Sequence, residues 1–238
     1  MLFVLCSVSI GSVASETPSV LPHHYANPGR IDPSVFRGQP DWQRRTRRLV
    51  SRAEQQLPFY GQPNPSGIVS VTDFGADPTG GEDSTQAFAA AVKKLLTLGG
   101  GRKNAANQTD LGGAILSLDG GVFSISNPVA IPAGYANYRV ERGTLIAHEN
   151  FGTGKQHLLE LGGVCSGGTT GLSKNCATDI SVVEVTLDGR DRAWGGVHVT
   201  SAVNVNVGPQ VMVIGFQGVG IELSGCGAGY VHDSWVSW

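Results

Sequence analysis

Residues 75–92 read GADPTGGEDSTQAFAAAV, and residues 112–132 read GGAILSLDGGVFSISNPVAIP. The first stretch follows a short strand-type run, Val69–Phe74, and predicts a polar glycine turn that leads into a helix. The second predicts short strands around a glycine corner, because β-branched residues alternate there with turn residues. The order strand, polar loop, helix and short strands predicts an ordered domain that begins near Gly67.

The helix is predicted over Asp83–Leu98. Asp83 is a suitable N-cap, and Gln86 three residues later completes a capping-box-like pair. An apolar stripe at helical spacing follows, formed by Phe88, Val92, Leu95 and Leu96. An amphipathic helix of this kind can cover the exposed end of a stack of strands and bury its apolar core. We therefore expect the helix to act as a lid.

Short strand-type runs continue from Leu111 to the end of the chain. Comparable runs begin at Ile180, Val203 and Tyr230, a spacing in the twenties that is typical of a solenoid. The predicted fold class is all-β, a right-handed parallel β-helix with an N-terminal capping α-helix. The alternative is an antiparallel sandwich, because Asp119-Gly120 and Asp188-Gly189 could form hairpin turns.

The charge balance gives little support to a nucleic-acid partner. The net charge is −2, and 15% of residues are charged, below the roughly 25% of ordinary soluble domains. The chain also has 34 glycines, which fits a fold with many turns. No apolar stretch reaches the roughly 20 residues that a membrane-spanning helix needs.

The sequence divides into three parts. Residues 1–15 begin with the apolar run Met1–Ile10 and predict a secretory signal peptide, although a misplaced start or a buried strand would give the same pattern. Residues 16–66 predict a flexible leader with a basic helix over Asp41–Gln56. Its five arginines favour a solvated helix face over a patch for acidic polysaccharide or a processing site. Residues 67–238 form the predicted β-helix domain.

The cysteines and one asparagine suit an oxidising, extracellular compartment. Cys165 and Cys176 lie in one Gly/Ser/Thr-rich loop and could form a disulfide bond. Cys226 is predicted to be a buried thiol or the partner of a residue outside the chain. Asn107 begins an Asn-Gln-Thr acceptor triplet for N-glycosylation.

The two stretches quoted first resemble the N-terminal region of the pectate-lyase-like β-helix superfamily. Residues 183–225, VEVTLDGRDRAWGGVHVTSAVNVNVGPQVMVIGFQGVGIELSG, are similar to plant polygalacturonase-like proteins of the Quartet type, which are related to glycoside hydrolase family 28. The resemblance covers residues 68–238. It implies a secreted cell-wall protein that acts on pectin, an acidic polysaccharide, as a monomer without a cofactor.

The resemblance also implies an inverting hydrolase, which needs a general acid and a general base with room for water between them. Family members supply these groups through Asn-Thr-Asp, Asp-Asp, His-Gly and Arg-Ile-Lys motifs, and none of the four occurs here. The Quartet-type proteins depart from these motifs as well. We therefore expect an N-terminal fragment whose catalytic residues lie beyond Trp238, which would leave it inactive by itself. Its last coil, around Tyr230, is expected to present an apolar edge.

Candidate chemistry within the chain is sparse. Its members are polar residues in or near strand ends: the catalytic candidates Asp188, Asp191 and Asp233, and the substrate-binding candidates Arg190, Arg192, Trp194 and His198. The arginines could bind uronate carboxylates in bidentate fashion, although a solvated turn explains the same residues. His198 is expected to face away from its neighbours Val197 and Val199. His232 and Asp233 are expected on opposite faces of one strand.

Two further functions remain open. One is a polysaccharide lyase on the same fold, and the other is a non-catalytic polysaccharide-binding module. A lyase of this superfamily uses calcium, and calcium needs six to eight oxygen ligands. Asp73, Asp77 and Asp83 are explained by turn formation and helix capping, so no metal site is predicted.

Overall fold

The computed structural model describes residues 67–163 and 177–237, together with the backbone of Val8–Ile10. The described residues belong to one compact unit. The predicted basic helix and the Cys165–Cys176 pair lie outside the described residues. The predicted domain boundaries therefore stay predictions.

Strands account for most of the described residues. In chain order they are β1 (Val8–Ile10), β2 (Ile68–Ser70), β3 (Thr79–Asp83), β4 (Thr109–Ser117), β5 (Val122–Ile125), β6 (Val129–Pro132), β7 (Tyr135–Ala147), β8 (His157–Gly162), β9 (Ala177–Asp188), β10 (Gly195–Thr200), β11 (Ala202–Val207), β12 (Val211–Ile214), β13 (Ile221–Ser224), β14 (Gly229–Val231) and β15 (Ser234–Val236). One helix, α1 (Thr85–Leu95), precedes β4, and Thr72–Phe74 form a 3₁₀ turn.

The strands stack in parallel, as the solenoid prediction requires. Sheet A has the order β1-β13-β10-β8-β6, and sheet B has the order β14-β11-β9-β7-β4-β2. Each coil passes from a sheet A strand into sheet B, as β10 passes into β11. Among the described strands, only the β1–β13 pairing is antiparallel. The all-β parallel β-helix is confirmed, and the antiparallel sandwich is wrong.

The core lies between the sheets and consists of stacked apolar side chains. In sheet A, Leu159, Val197 and Ile221 are paired in register and fully buried. In sheet B, Leu116 stacks on Val140 in the same way. Each coil thus buries its apolar face against its neighbours, which is why isolated coils of this kind are not stable.

The helix α1 covers one end of this stack, as predicted. It packs on β2, β4 and β6, and β2 and β6 are the terminal strands of their sheets. Its buried stripe comprises Ala87, Phe88, Ala91, Val92 and Leu95. The ring of Phe88 meets that of Phe123 edge to face, with centroids 5.5 Å apart.

The predicted N-cap at Asp83 is wrong. The cap is Ser84, whose side chain makes no capping hydrogen bond, and Asp83 is the last residue of β3. The Asp83 carboxylate nevertheless accepts from the Thr85 amide at 3.0 Å and the Thr85 hydroxyl at 2.6 Å. It also accepts from the Ser126 amide at 3.2 Å, so it ties the start of the helix to the next coil. A contact distant in sequence displaced the cap.

Sharp corners are made by residues with positive φ at equivalent levels of successive coils. Asn137, Asp179 and Asn204 form one such column, with the Asn204 amide donating to Asp179 at 2.5 Å. A second corner bends β7 at Gly143, where φ is +155°. A Cβ there would lie 3.0 Å from the Gly121 carbonyl oxygen, so the corner needs glycine.

The two ends of the described chain are both edge strands. Val8–Ile10 pair with β13, and cleavage of a signal peptide that includes them stays a prediction. At the other end β14 and β15 expose Tyr230 by 62% and Trp235 by 66%. The expected apolar edge is present. No helix in the described part of the chain is long and apolar enough to cross a membrane.

Truncating Phe88 to alanine should loosen the lid. Phe88 is 2% exposed and packs on Phe123, so the substitution leaves a cavity and should lower the free energy of unfolding by about 3–5 kcal/mol. Urea denaturation followed by circular dichroism measures this. Lys93→Ala, on the exposed face of α1, is the control. Equal stabilities of the two variants would contradict the lid assignment.

Candidate functional site on the outer face of sheet A

Three titratable side chains stack on the outer face of sheet A. Glu160 in β8, His198 in β10 and Glu222 in β13 are direct register partners. The residues on either side of each one point into the core, as Val197 and Val199 show with 0% exposure. The predicted outward orientation of His198 is therefore confirmed. The parallel pairing places the two carboxylates on either side of one imidazole.

The separation of the two glutamates follows from sheet geometry. Neighbouring strands lie about 4.8 Å apart, so Glu160 and Glu222, two strands apart, have backbones about 9.6 Å from each other. The carboxyl groups of inverting glycosidases lie roughly 6.5–9.5 Å apart, against about 5–5.5 Å in retaining enzymes. Modest side-chain tilt brings this pair into the inverting range. The His198 side chain lies on the strand between them, so water and substrate would approach the two carboxylates from outside the sheet, over the imidazole.

A hydroxyl pair connects the imidazole to one carboxylate. The Ser224 hydroxyl donates to Oε1 of Glu222 at 3.0 Å. Nε2 of His198 lies 3.3 Å from the Ser224 hydroxyl and 3.0 Å from the Thr200 hydroxyl. Because the Ser224 proton goes to Glu222, the network places a proton on Nε2 of His198. Glu222 and His198 are thus oriented together.

His157 lies beneath this face and contacts both sides of it. Its ring centroid is 5.0 Å from that of His198, and its Nε2 is 3.7 Å from Oε2 of Glu222. Its backbone amide donates to Oε1 of Glu160 at 3.4 Å. The residue is 1% exposed. His157 therefore approaches Glu222 through its ring and Glu160 through its backbone amide.

A bulge and a glycine make room for the His157 ring. The amides of Gly196 and Val197 both donate to the Gly220 carbonyl, which interrupts the in–out alternation of β10. A Cβ at Gly195 would collide with the Val219 carbonyl oxygen and lie 2.8 Å from Nε2 of His157. Any larger residue at position 195 would push the ring away from Glu222.

The environment of His157 keeps its imidazole neutral. Burial lowers its pKa to about 4, repulsion from His198 adds to this effect, and Glu222 and the Val219 carbonyl oppose it. The Val219 carbonyl lies near the ring, but neither ring nitrogen forms a hydrogen bond of good geometry with it or with another described residue. An unpaired polar group of this kind costs stability and calls for an explanation.

The turns that lead into sheet A carry an aromatic residue and several cations. The Trp194 ring packs against Gly218, where a Cβ would collide with it, and Nζ of Lys155 lies 4.8 Å from the ring centroid. Arg190 and Arg192 are exposed in the same turn as Trp194. These side chains border the face on the side where its strands begin.

The predicted catalytic pair lies away from the face: Asp188 ends β9 in sheet B, and Asp191 lies in the turn that follows. Asp188 accepts from the Arg190 amide at 2.9 Å, and its Oδ2 is 3.7 Å from the Arg190 guanidinium. The Asp191 amide donates to Gly215 and its carbonyl accepts from Gln217. Both residues have local roles in the turn. Their catalytic assignment stays a prediction.

The expectation that His232 and Asp233 point to opposite faces is wrong. They lie between β14 and β15, and Asp233 has φ of +46°, so strand alternation does not apply. Nδ1 of His232 is 3.2 Å from Oδ2 of Asp233. Both side chains are exposed at the last described coil. A catalytic role for Asp233 stays a prediction.

Other predicted sites have clear local surroundings. Asn107 is exposed in a turn, and its glycosylation stays a prediction. Cys226 is a free, half-buried thiol whose pKa is raised by burial. Asp77 accepts from the amides of Gly81 and Glu82, and these backbone bonds, with those from Thr79, hold its pKa below the usual range. Turn formation accounts for Asp77, as expected.

A second polar depression lies where the sheet B strands bend. It has a volume of about 620 Å³ and is lined by Ser117, Asp119, Gly120, Arg142, Gly143, Thr144, Glu184 and Thr186. Its charges are engaged with one another: Arg142 contacts Glu141 and Glu184, and Asp119 accepts from Ser70, Thr72 and Ser117. These contacts tie neighbouring coils together, so we assign the depression a structural role.

Sequence reasoning missed Glu160, Glu222 and His157. Aligning the three segments LLELG (158–162), GVHVT (196–200) and GIELS (220–224) would have found the first two, because each has one polar residue between apolar ones. His157 has no comparable pattern. Its position depends on the bulge and on Gly195.

Comparison with known proteins finds a sequence relative, a plant polygalacturonase. No protein-family profile matches the sequence. Polygalacturonase QRT3 of Arabidopsis thaliana is 38% identical over 97 residues, which are 40% of this chain and 20% of that protein. The chain therefore matches about a fifth of the length of this relative.

Two solved structures are also similar. One is ORF18 of Geobacillus virus E2, with a TM-score of 0.48 and 13% identity over 74% of this chain and 29% of the other. The other is a hyperthermoactive exopolygalacturonase from Thermotoga maritima, with a TM-score of 0.43 and 15% identity over 70% and 46% of the two chains. By its own strand register, the protein is a parallel β-helix. In sequence it resembles plant polygalacturonases of the Quartet type, as the residue pattern predicted.

His157 should make the stability of the protein sensitive to mild acid. Its pKa is about 4 in the folded state and about 6.5 in an unfolded chain, so the unfolded state binds more protons between these values. The free energy of unfolding should fall by about 3 kcal/mol as pH falls from 6.5 to 4, and this contribution is constant below pH 4.

Urea denaturation at several pH values tests this against His157→Leu, which lacks the ionisable group. The wild-type protein should lose stability more steeply than the variant over this window. His232→Gln, at an exposed histidine, is the control and should follow the wild type. Parallel curves for wild type and His157→Leu would show that His157 titrates normally.

Proposed function

We propose that this protein is a pectin-directed glycoside hydrolase of the polygalacturonase type, which hydrolyses α-1,4-linked galacturonan. The observation that carries the proposal is the register-fixed pair Glu160 and Glu222 on the outer face of sheet A, with His198 between them. The proposal thus assigns the acid and the base to this chain, in place of the expectation that they lie beyond Trp238. The sequence likeness to a plant polygalacturonase supports the choice of substrate. The proposed site of action is the cell wall, and the proposed working form is a secreted monomer.

The two carboxyl groups would act as the general acid and the general base of hydrolysis. One, protonated, would donate its proton to the glycosidic oxygen as the bond to the anomeric carbon breaks. The other, ionised, would accept a proton from the water that attacks this carbon from the opposite side. Their separation by two strands is close to that of inverting enzymes, so the product should have inverted configuration.

The surroundings suit an acidic sugar. His198 lies between the two glutamates, Lys155 and Arg192 lie in the segments that precede β8 and β10, and all three could pair with uronate carboxylates. Trp194 offers an apolar surface for a sugar ring beside the cation of Lys155. The arrangement combines positive charge for binding with two carboxylates for proton transfer.

Glu160→Gln and Glu222→Gln should each lower kcat on polygalacturonate by about 10²–10⁴-fold, because glutamine keeps the size of the side chain and cannot transfer a proton in the same way. The assay measures new reducing ends together with absorbance near 235 nm. Glu82→Gln, at an exposed glutamate on β3, should keep wild-type activity.

The same assay separates the alternatives. Reducing ends without an absorbance gain support hydrolysis, whereas an absorbance gain would identify a lyase and overturn the proposal. Retention on pectin without any product would identify a binding module. Wild-type activity in both glutamine variants would refute the assignment of the pair while leaving the substrate intact.

Arg192→Ala should weaken substrate binding without changing the chemical step. Exposed charge pairs contribute about 0.2–1 kcal/mol, so KM should rise roughly 1.5- to 5-fold with kcat unchanged, and added salt should reduce the difference. Lys93→Ala makes the same charge change on α1 and should leave KM unchanged. A fall in kcat with constant KM would assign Arg192 a different role.

A further inference from the structure

We propose that His157 is a positioning residue for Glu222: its neutral ring donates a hydrogen bond from Nε2 to Oε2 of Glu222 when a sugar occupies the outer face of sheet A. The inference rests on the proposed function of that face. In this role His157 does not contact substrate, but it sets the geometry of one of the two carboxylates.

The contacts of Glu222 define this role. Nε2 of His157 lies 3.7 Å from Oε2 of Glu222, and this oxygen is the one that Ser224 does not bind. Ser224 holds Oε1, so a hydrogen bond from His157 would hold the second oxygen and fix the carboxyl plane. Catalytic hydrogen bonds are often long in unliganded structures and shorten when substrate binds. A closure of less than 1 Å would complete this one.

A packing role explains His157 poorly. The side chain is 2% exposed, and neither ring nitrogen has a well-formed hydrogen bond among the described residues. Leaving a buried donor or acceptor without a partner costs about 1–3 kcal/mol, and a leucine would fill the site without that cost. Gly195 leaves room for the ring, although the Val219 carbonyl oxygen would exclude a side chain at that position in any case.

The charged and titratable groups around the ring agree with a neutral donor. They are His198 on β10, Glu222 on β13 and Glu160 on its own strand, with the Val219 carbonyl beside them. Burial and His198 outweigh Glu222, so the imidazole carries no charge in mildly acidic solution. The neutral tautomer with its proton on Nε2 is the one that completes the bond.

The two glutamates should respond differently to changes at His157. Glu160 is held by the His157 backbone amide, which every substitution at this position retains. The part of His157 that lies near Glu222 is the ring, which a substitution removes. Loss of the ring should therefore shift the apparent pKa of the limb of the pH–rate profile that belongs to Glu222. The apparent pKa of the limb that belongs to Glu160 should stay unchanged.

The test compares His157→Leu with His157→Gln in steady-state assays on polygalacturonate. Leucine should lower kcat about ten- to hundredfold with little change in KM, which corresponds to losing one hydrogen bond to a charged group. Glutamine keeps an N–H donor and should recover part of the loss. Thermal melting of both variants checks folding, and leucine should be at least as stable as the wild type at neutral pH.

Three results would overturn the inference: full kcat in His157→Leu, no advantage of glutamine over leucine, or equal displacement of both limbs of the pH–rate profile. If the wild-type protein releases no reducing ends, the proposed function fails, and a second readout then tests the contact itself. In ¹⁵N spectra of the full chain, the His157 ring should be the neutral Nε2–H tautomer at pH 6. Its Nε2 resonance should shift in Glu222→Gln and not in Glu82→Gln; an unchanged resonance would show that the two groups are uncoupled.

Discussion

The hydrogen-bonded register between successive coils is the constraint on which the rest of this structure depends. A slip of one residue would turn every side chain of a strand to the other face. It would bury His198 and Glu222 and expose Val197 and Ile221, which are fully buried. The same pairing that builds the core therefore builds the titratable stack. Core stability and the alignment of the candidate site cannot be separated in this fold.

Corner residues protect that register. Gly163, Ser201 and Gly225 all have positive φ and follow β8, β10 and β13 at the same level of their coils. The Ser201 amide donates to the Ser224 carbonyl at 2.7 Å, so each corner is tied to the next. Because the chain turns at equivalent positions, one polar residue per strand is enough to produce a continuous polar column.

Local patterns predicted the lid and most strands, because helix amphipathicity and short β-type runs are properties of adjacent residues. The candidate site was largely invisible to them. Glu160 and His198 meet only after the chain has completed an intervening coil, and residues 164–176 interrupt the period between them. His157 was hidden for a different reason, since a bulge sets its orientation. At Asp233 the assumed strand alternation failed because the backbone turns there.

The site also shows where this sequence departs from the rules that otherwise make it fold. Buried polar groups are usually paired, and glycine in a strand weakens it. The pair Gly195 and His157 breaks both rules at one point, beside the only described glutamate that faces a buried imidazole. The close approach of the Val219 carbonyl oxygen requires glycine at position 195, whereas an apolar side chain could fill the place of His157. Residues that lower stability without improving the packing are expected at functional positions. His157 is such a residue, and it lies against the carboxylate that the proposed reaction needs.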